Sequence, residues 1–247
     1  MVAVGAPPPT PRHCPGVPHM KALILPLVAG MTLAAASGAA TAADAPTLRT
    51  LGGATAPQQL HADSTALLVI DFQNEYYTGR LPIPDGDAAL ANSQRLVRMA
   101  DANGIAVFHV QHVNPAAAPV FAEGSVGVQL VPGMQPAAHH ALVRKTTVSS
   151  FASTDLDAQL KARGIRTLII AGLMTHVCVA TTARDAVPLG YEVIVPSDAV
   201  ATRSVQAYDG NGVVGADALH RAALTGIADA FGSVLSTAAV LALPVQR

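Results

Sequence analysis

The sequence predicts an α/β protein, a three-layer αβα sandwich around a mostly parallel sheet. Short apolar, β-branched runs recur at 66–70, 105–110, 167–171 and 192–195, and each stands alone as a buried strand. Segments with helical spacing, closed by glycine, separate most of them, which is the alternation of a parallel sheet with crossover helices. The apolar content is high, 51% against only 4% aromatic, and alanine, valine and leucine supply it, as in a helix-covered sheet.

The chain opens on a different text. Met20-Lys21 is followed by an apolar stretch that ends in small residues at Ala40-Thr41-Ala42, an A-x-A cleavage pattern. This predicts a secretory signal over 20–42 and an exported, periplasmic protein. The apolar stretch is too short, and too rich in glycine, serine and threonine near its end, to favour a membrane span, so no membrane partner is expected for the mature form. Residues 1–19 are proline-rich and precede the natural start of such a signal; Met20 reads as the initiator and 1–19 as an over-extended start. Removing the signal also removes Cys14 and leaves Cys178 as a lone thiol, which cannot be half of an intrachain disulfide.

Residues 43–64, with Pro46, Gly52, Gly53 and Pro57, read as an arm or linker, and the folded domain is expected over 65–240. Its first strand, Ala66 to Ile70, ends on Asp71. A helix over 87–103 carries Leu90, Leu96, Val97 and Ala100 and is stopped by Asn103-Gly104. The second strand covers 105–112. Residues 113–141 are a long irregular excursion, of the kind that walls a site. A short strand from Ala141 to Arg144 delivers Lys145; Ser153 or Thr154 can cap the helix that runs through Arg163 to Gly164. Strand 167–171, a turn at Gly172, a helix-like segment with Cys178 near its start, and strand 192–195 follow. A loop over 196–215, a helix over 216–231 and a short strand near Ser233 to Ser236 complete the domain.

A net charge of −1 gives no basic surface for nucleic acid, so the expected partner is a small molecule. Ligands of parallel sheets sit beyond the carboxyl ends of the strands, and Asp71, Lys145 and the turn before Cys178 all fall there. A carboxylate, an amine and a thiol so placed suggest nucleophilic catalysis with a carboxylate base. The free amides and dipole of a helix start are expected to lower the thiol pKa.

These residues carry a resemblance. Asp71 in VIDFQN, Lys145 in VRKTTVSSF and Cys178 in GLMTHVCVATTARDA resemble the Asp-Lys-Cys triad of isochorismatase-like cysteine hydrolases, over about residues 65 to 240, with STDLDAQLKARGI, the DA of SDAVATRS and the later His220. The resemblance implies that Asp71 takes the thiol proton, that Cys178 attacks a carbonyl carbon to give a thioester, and that Lys145 supports both charges. It implies an oxyanion hole from the Met174 and Cys178 amides, with a cis peptide joining Leu173 to Met174. Gln73 or Asn74, Phe151, Thr175 and Arg203 are the candidate substrate contacts, Arg203 by analogy with carbamoyl-amino-acid amidases, where an arginine in this loop grips a carboxylate. Phe72 and Phe121 are read as core, with a pocket wall as the alternative.

The chain departs from nicotinamidases of that superfamily, whose Asp-x-His pair binds a metal: here HVQH carries His109 and His112 with no aspartate. Histidines three apart on a strand face different ways, so no metal or other cofactor is expected. His139-His140 is expected to be solvated, and His176 to be a neighbour of the nucleophile. The retained cysteine favours an amide or carbamoyl substrate; ester or enol-ether hydrolysis, and a silent binding protein on the same fold, remain alternatives. Analogy with relatives suggests a homo-oligomer.

Overall fold

The structure is a computed structural model that describes residues 45–247; the expected signal, the over-extended start and Cys14 lie outside the described residues. In chain order the elements are α1 (Leu48–Leu51), β1 (Leu60–His61), β2 (Thr65–Ile70), α2 (Gly86–Asn103), β3 (Ala106–His112), β4 (Ala141–Lys145), α3 (Leu156–Ala162) and β5 (Thr167–Leu173). A π-helical turn (Thr175–Val179) then runs into α4 (Ala180–Ala186). They continue with β6 (Glu192–Pro196), β7 (Val200–Ala201), β8 (Val205–Gln206), β9 (Val213–Val214), α5 (Ala216–Ala230), β10 (Ser233–Leu235), α6 (Thr237–Leu241) and β11 (Val245–Gln246).

The main sheet has the order β10-β6-β5-β2-β3-β4, with β7 added on the end of β5, and every pairing is parallel. All six residues of β2 are buried because both faces are covered. Leu67 and Val69 face one core, with Leu96 and Ala100 of α2 and Val240 of α6. Ala66, Leu68 and Ile70 face the other, with Leu156 and Leu160 of α3, Ala183 of α4 and Ile227 of α5. That is the predicted three-layer sandwich. Helix α2 ends where expected: Gly104 takes a left-handed φ of 73° and its amide returns to the Ala100 and Asp101 carbonyls.

Sequence reading missed the smaller elements. The arm at 45–64 is not a bare linker; it forms α1, and β1 pairs with the chain's last strand, β11. The 196–215 loop holds β7 and the β8–β9 hairpin. Strands this short carry no periodicity to read.

Chain order 2-3-4 grows to one side of β2, and β5, β6 and β10 lie on the other, so the crevice between β2 and β5 is the topological switch point. The two strands close tightly there. A Cβ on Gly172 would strike the Ile70 carbonyl, and Gly172 itself holds a φ of 140°, so only glycine fits. Register places Ile70 beside both Val110 and Gly172, and His112 beside Lys145. Asp71, Lys145 and the turn carrying Cys178 therefore all lie at the carboxyl ends of their strands, on one edge of the sheet.

Candidate active site

Asp71 follows β2 with a φ of 55°, a left-handed conformation that aspartate tolerates better than most residues. Its amide donates to the Val110 carbonyl and its own carbonyl accepts from Gln73, which fixes the kink. The carboxylate is fully buried, and so is the Lys145 ammonium 2.8 Å from Oδ2. Lys145 and Cys178 are polar groups beside this carboxylate. Cys178 Sγ is within 4.8 Å of this carboxylate and 3.4 Å from Lys145 Nζ. The Leu173–Met174 peptide is cis.

Lys145 has two further partners. It donates to the Thr147 carbonyl at 3.1 Å and to His112 Nδ1 at 3.0 Å. An ammonium only donates, so Nδ1 must be the acceptor, and the ring carries its proton on Nε2. That proton goes to Asn114 Oδ1 at 3.0 Å, and Asn114 Nδ2 donates on to the Val120 carbonyl. Burial first, then the Lys145 charge, hold His112 below its ordinary pKa, consistent with a neutral ring. His112 thus joins the site as an acceptor for the lysine. Its importance was hidden because Lys145 is 33 residues away in sequence.

The electrostatics correct one expectation. Burial opposes the Lys145 ammonium, but Asp71 and then Cys178 outweigh it and raise its pKa. The Cys178 thiol is not lowered as a helix start would suggest. Burial and then the Asp71 charge push it up to about 12, with Lys145 opposing. The ammonium is already neutralised by Asp71, and the thiol sits inside a π-helical turn rather than at a free helix end. The resting protein therefore holds a thiol facing a carboxylate.

The candidate contact residues divide. Gln73 is fully buried; Nε2 donates to the His112 and Val128 carbonyls and Oε1 accepts from the His112 amide, so it braces the wall instead of facing a ligand. Asn74 similarly donates to the Val126 carbonyl. Phe151 stacks on Tyr191, 6.0 Å between centroids, as a packing contact beside α3 and α4. Thr175 is buried and bonds through Oγ1 to His220 Nδ1 at 2.9 Å. Arg203 donates to the Ser204 carbonyl, while its buried Nε has no partner. His176 bonds to Thr202 next to it, and burial followed by the Arg203 charge lowers its pKa. Phe72 and Phe121 are both core, and Phe121 also stands between Tyr76 and His112, with centroids 5.1 and 5.2 Å away.

Tyr76 is a residue that sequence reading passed over. It is buried, and after burial itself the charges of Asp71 and Cys178 push its phenol up while Arg203 opposes. The motif VRKTTVSSF also has a use beyond its lysine: Ser149 bonds to Asp185 and Ser150 to Thr182, pinning the turn after β4 against α4. A recess of about 470 Å³ lies at the β4 edge between Asn114 and Arg144, with the Lys145 side chain closed off from solvent behind it. A second, of about 360 Å³, ends at Thr202 and His220. Both volumes suit a small molecule.

The isochorismatase domain profile matches residues 65–239, most of the chain. The chain belongs to the isochorismatase family. It is 35% identical over 181 residues to the secreted isochorismatase effector Isc1 of Verticillium dahliae, covering 73% of this chain and 92% of that protein. It is 30% identical over 198 residues to the ureidoacrylate amidohydrolase RutB of Variovorax paradoxus, covering 66% of this chain and 79% of that one. The crystal structure of an isochorismatase from Pseudomonas putida superposes with a TM-score of 0.74 at 32% identity, over 79% of this chain and 98% of that one. Like other members of the isochorismatase family, the chain is a hydrolase.

Proposed function

We propose that this isochorismatase-family hydrolase is a cysteine amidohydrolase that cleaves a small amide or carbamoyl C–N bond without a metal. The observation that carries this reading is the buried convergence of Asp71, Lys145 and Cys178. As a substrate carbonyl approaches Sγ, Asp71 takes the thiol proton and the sulfur bonds to the carbonyl carbon. The Met174 and Cys178 amides meet the oxyanion. Collapse of the tetrahedral species breaks the C–N bond as Asp71 returns the proton to the leaving nitrogen, leaving a thioester. Water then gives a proton to Asp71 and its oxygen to the carbonyl; the C–S bond breaks, the acid departs and Sγ recovers its proton. Lys145 keeps Asp71 ionised at the start of each half-reaction.

The partnerless Nε of Arg203 favours a substrate that carries its own carboxylate. A ureido acid has that chemistry, and the likeness to a ureidoacrylate amidohydrolase agrees with it. Export to the periplasm rests on the signal pattern at 20–42, and a secreted relative is consistent with it. A homo-oligomer is supported by the β8–β9 hairpin, where Tyr208 and Val213 are exposed next to the Arg203 loop.

The test is ammonia release from a panel of small amides, ureides and carbamoyl amino acids, with Cys178→Ala alongside. Ammonia that disappears in the variant supports the reading, and preference for carboxylate-bearing substrates assigns Arg203. Enol-ether cleavage with no ammonia from any amide would replace it with the isochorismatase-type reaction that two of the relatives' names carry.

A further inference from the structure

At the opposite end of β3 and β4 lies a second cluster of titratable side chains. Asp101, in the last turn of α2, receives two imidazoles on one oxygen: His139 Nε2 at 3.0 Å and His140 Nε2 at 2.8 Å from Oδ1. The expectation of a solvated pair fails for one member. The His139 side chain is 68% exposed, but that of His140 is 4% exposed and wedged inward. Its Nδ1 lies 3.1 Å from Nε2 of His109, whose ring is buried in β3 and whose Nδ1 has no partner. His109 and His112 do face different ways, and each has found a different cluster.

We propose that Asp101, His139 and His140 bind a borderline divalent transition-metal ion, with Zn²⁺ the best match, at a site separate from the catalytic thiol. The donor set is two imidazole nitrogens and one carboxylate oxygen, a combination that suits zinc and leaves a fourth position for water. The three ligand atoms already lie within 4.8 Å of one another. Zinc bonds of about 2.0–2.2 Å place tetrahedral ligand atoms roughly 3.3 Å apart. The ion therefore enters by spreading the observed 2.8 and 3.0 Å contacts by roughly half an ångström. Exposed His139 can swing to admit it.

The proton accounting closes without a co-reactant. In the metal-free arrangement the Ala137 amide donates to His140 Nδ1, so His140 carries its proton on Nε2 and gives it to Asp101. Coordination through Nε2 requires the neutral ring to hold its proton on Nδ1 instead. That proton then points at His109 Nε2, which accepts it, and the His109 proton rests on the otherwise partnerless Nδ1, on a ring that the Met134 backbone adjoins. His139 makes the same shift with its Nδ1 in solvent. The two imidazole hydrogen bonds to Asp101 are replaced by bonds to the ion, and the 3.2 Å bond from Ala137 is given up. His109 becomes the buried partner that orients a metal-binding imidazole.

The consequence is mechanical. The ion ties the end of α2 to the end of the 113–140 excursion, just before the strand that delivers Lys145. That strand, five residues at roughly 3.3 Å each, keeps the ion away from the thiol. Binding does not depend on the amidase reading and is tested apart from it.

Untagged full-length chain, dialysed against micromolar Zn²⁺, should retain one ion. Cys178→Ala should retain it equally, because the Asp71–His112–Cys178 group is the other place an ion could lodge. His139→Ala, at an exposed position, and Asp101→Asn should each weaken retention by about tenfold or more. Co²⁺ in place of Zn²⁺ should show the visible absorption of a four-coordinate site, lost in the same two variants. Failure to retain zinc, retention that survives both variants, or retention lost in Cys178→Ala would each overturn the proposal.

Discussion

Two lysine–aspartate pairs in this protein have the same length and opposite meanings. Lys145 to Asp71 and Lys161 to Asp157 both measure 2.8 Å, but the first pair is wholly buried and the second, one turn apart on α3, is largely in solvent. In water the attraction is weak and the ordering entropy nearly cancels it. In the interior the desolvation cost is already met by folding, and removing one partner strands the other. Contact distance alone does not separate a surface ion pair from one built into a buried site. Burial, and what else shares the pocket, do.

The sharpest way to break the comparison is Asp71→Asn. Loss of the proton acceptor should lower turnover by about 10²–10⁴-fold. The same change removes the charge that helps hold the Cys178 thiol up near 12 while leaving the opposing Lys145 in place, so iodoacetamide should alkylate Cys178 faster in the variant. Slower alkylation would show that Asp71 does not face the thiol. In the unmodified protein the alkylation rate should keep climbing past the ordinary thiol pKa of about 8.5; a plateau at or below that pH would contradict a carboxylate-facing thiol.

Next is Lys145→Ala, which leaves Asp71 buried and alone and should cost about 3–5 kcal/mol in urea unfolding. An effect below about 1 kcal/mol would mean that water reaches the pair. His112→Ala removes the acceptor that aims the ammonium and should reduce turnover by between about tenfold and a hundredfold, with the fold intact. His112→Gln, whose carbonyl can still accept from Nζ, should restore part of it, which a purely packing role would not. The smallest effect belongs to the exposed pair: Lys161→Ala should change stability by no more than about 0.5 kcal/mol.

What was legible in the sequence follows the same division. Strand β2 could be read because a strand buried on both faces is apolar without interruption, and Asp71 because polar residues end such runs. Cys178 and Lys145 came with motifs. The thiol's raised pKa could not be read, since burial and the facing carboxylate are products of the fold. Nor could His112 or His140, whose partners Lys145 and Asp101 arrive from 33 and 39 residues away. Gln73 sits where a substrate contact belongs, and only its three backbone hydrogen bonds show that it is a brace.

One feature of the sheet bears on how this hydrolase fails. Strand β4, which ends in Lys145, is one of the two border strands and among the described residues pairs with β3 alone. Border strands fray at a lower free energy than the centre, and their amides exchange with solvent first. Asp71 and Cys178 ride on central β2 and on the turn after β5, and stay put when the border opens. Heating should therefore take the lysine away from an otherwise assembled centre, so that activity declines several degrees before the helical signal does and returns on cooling.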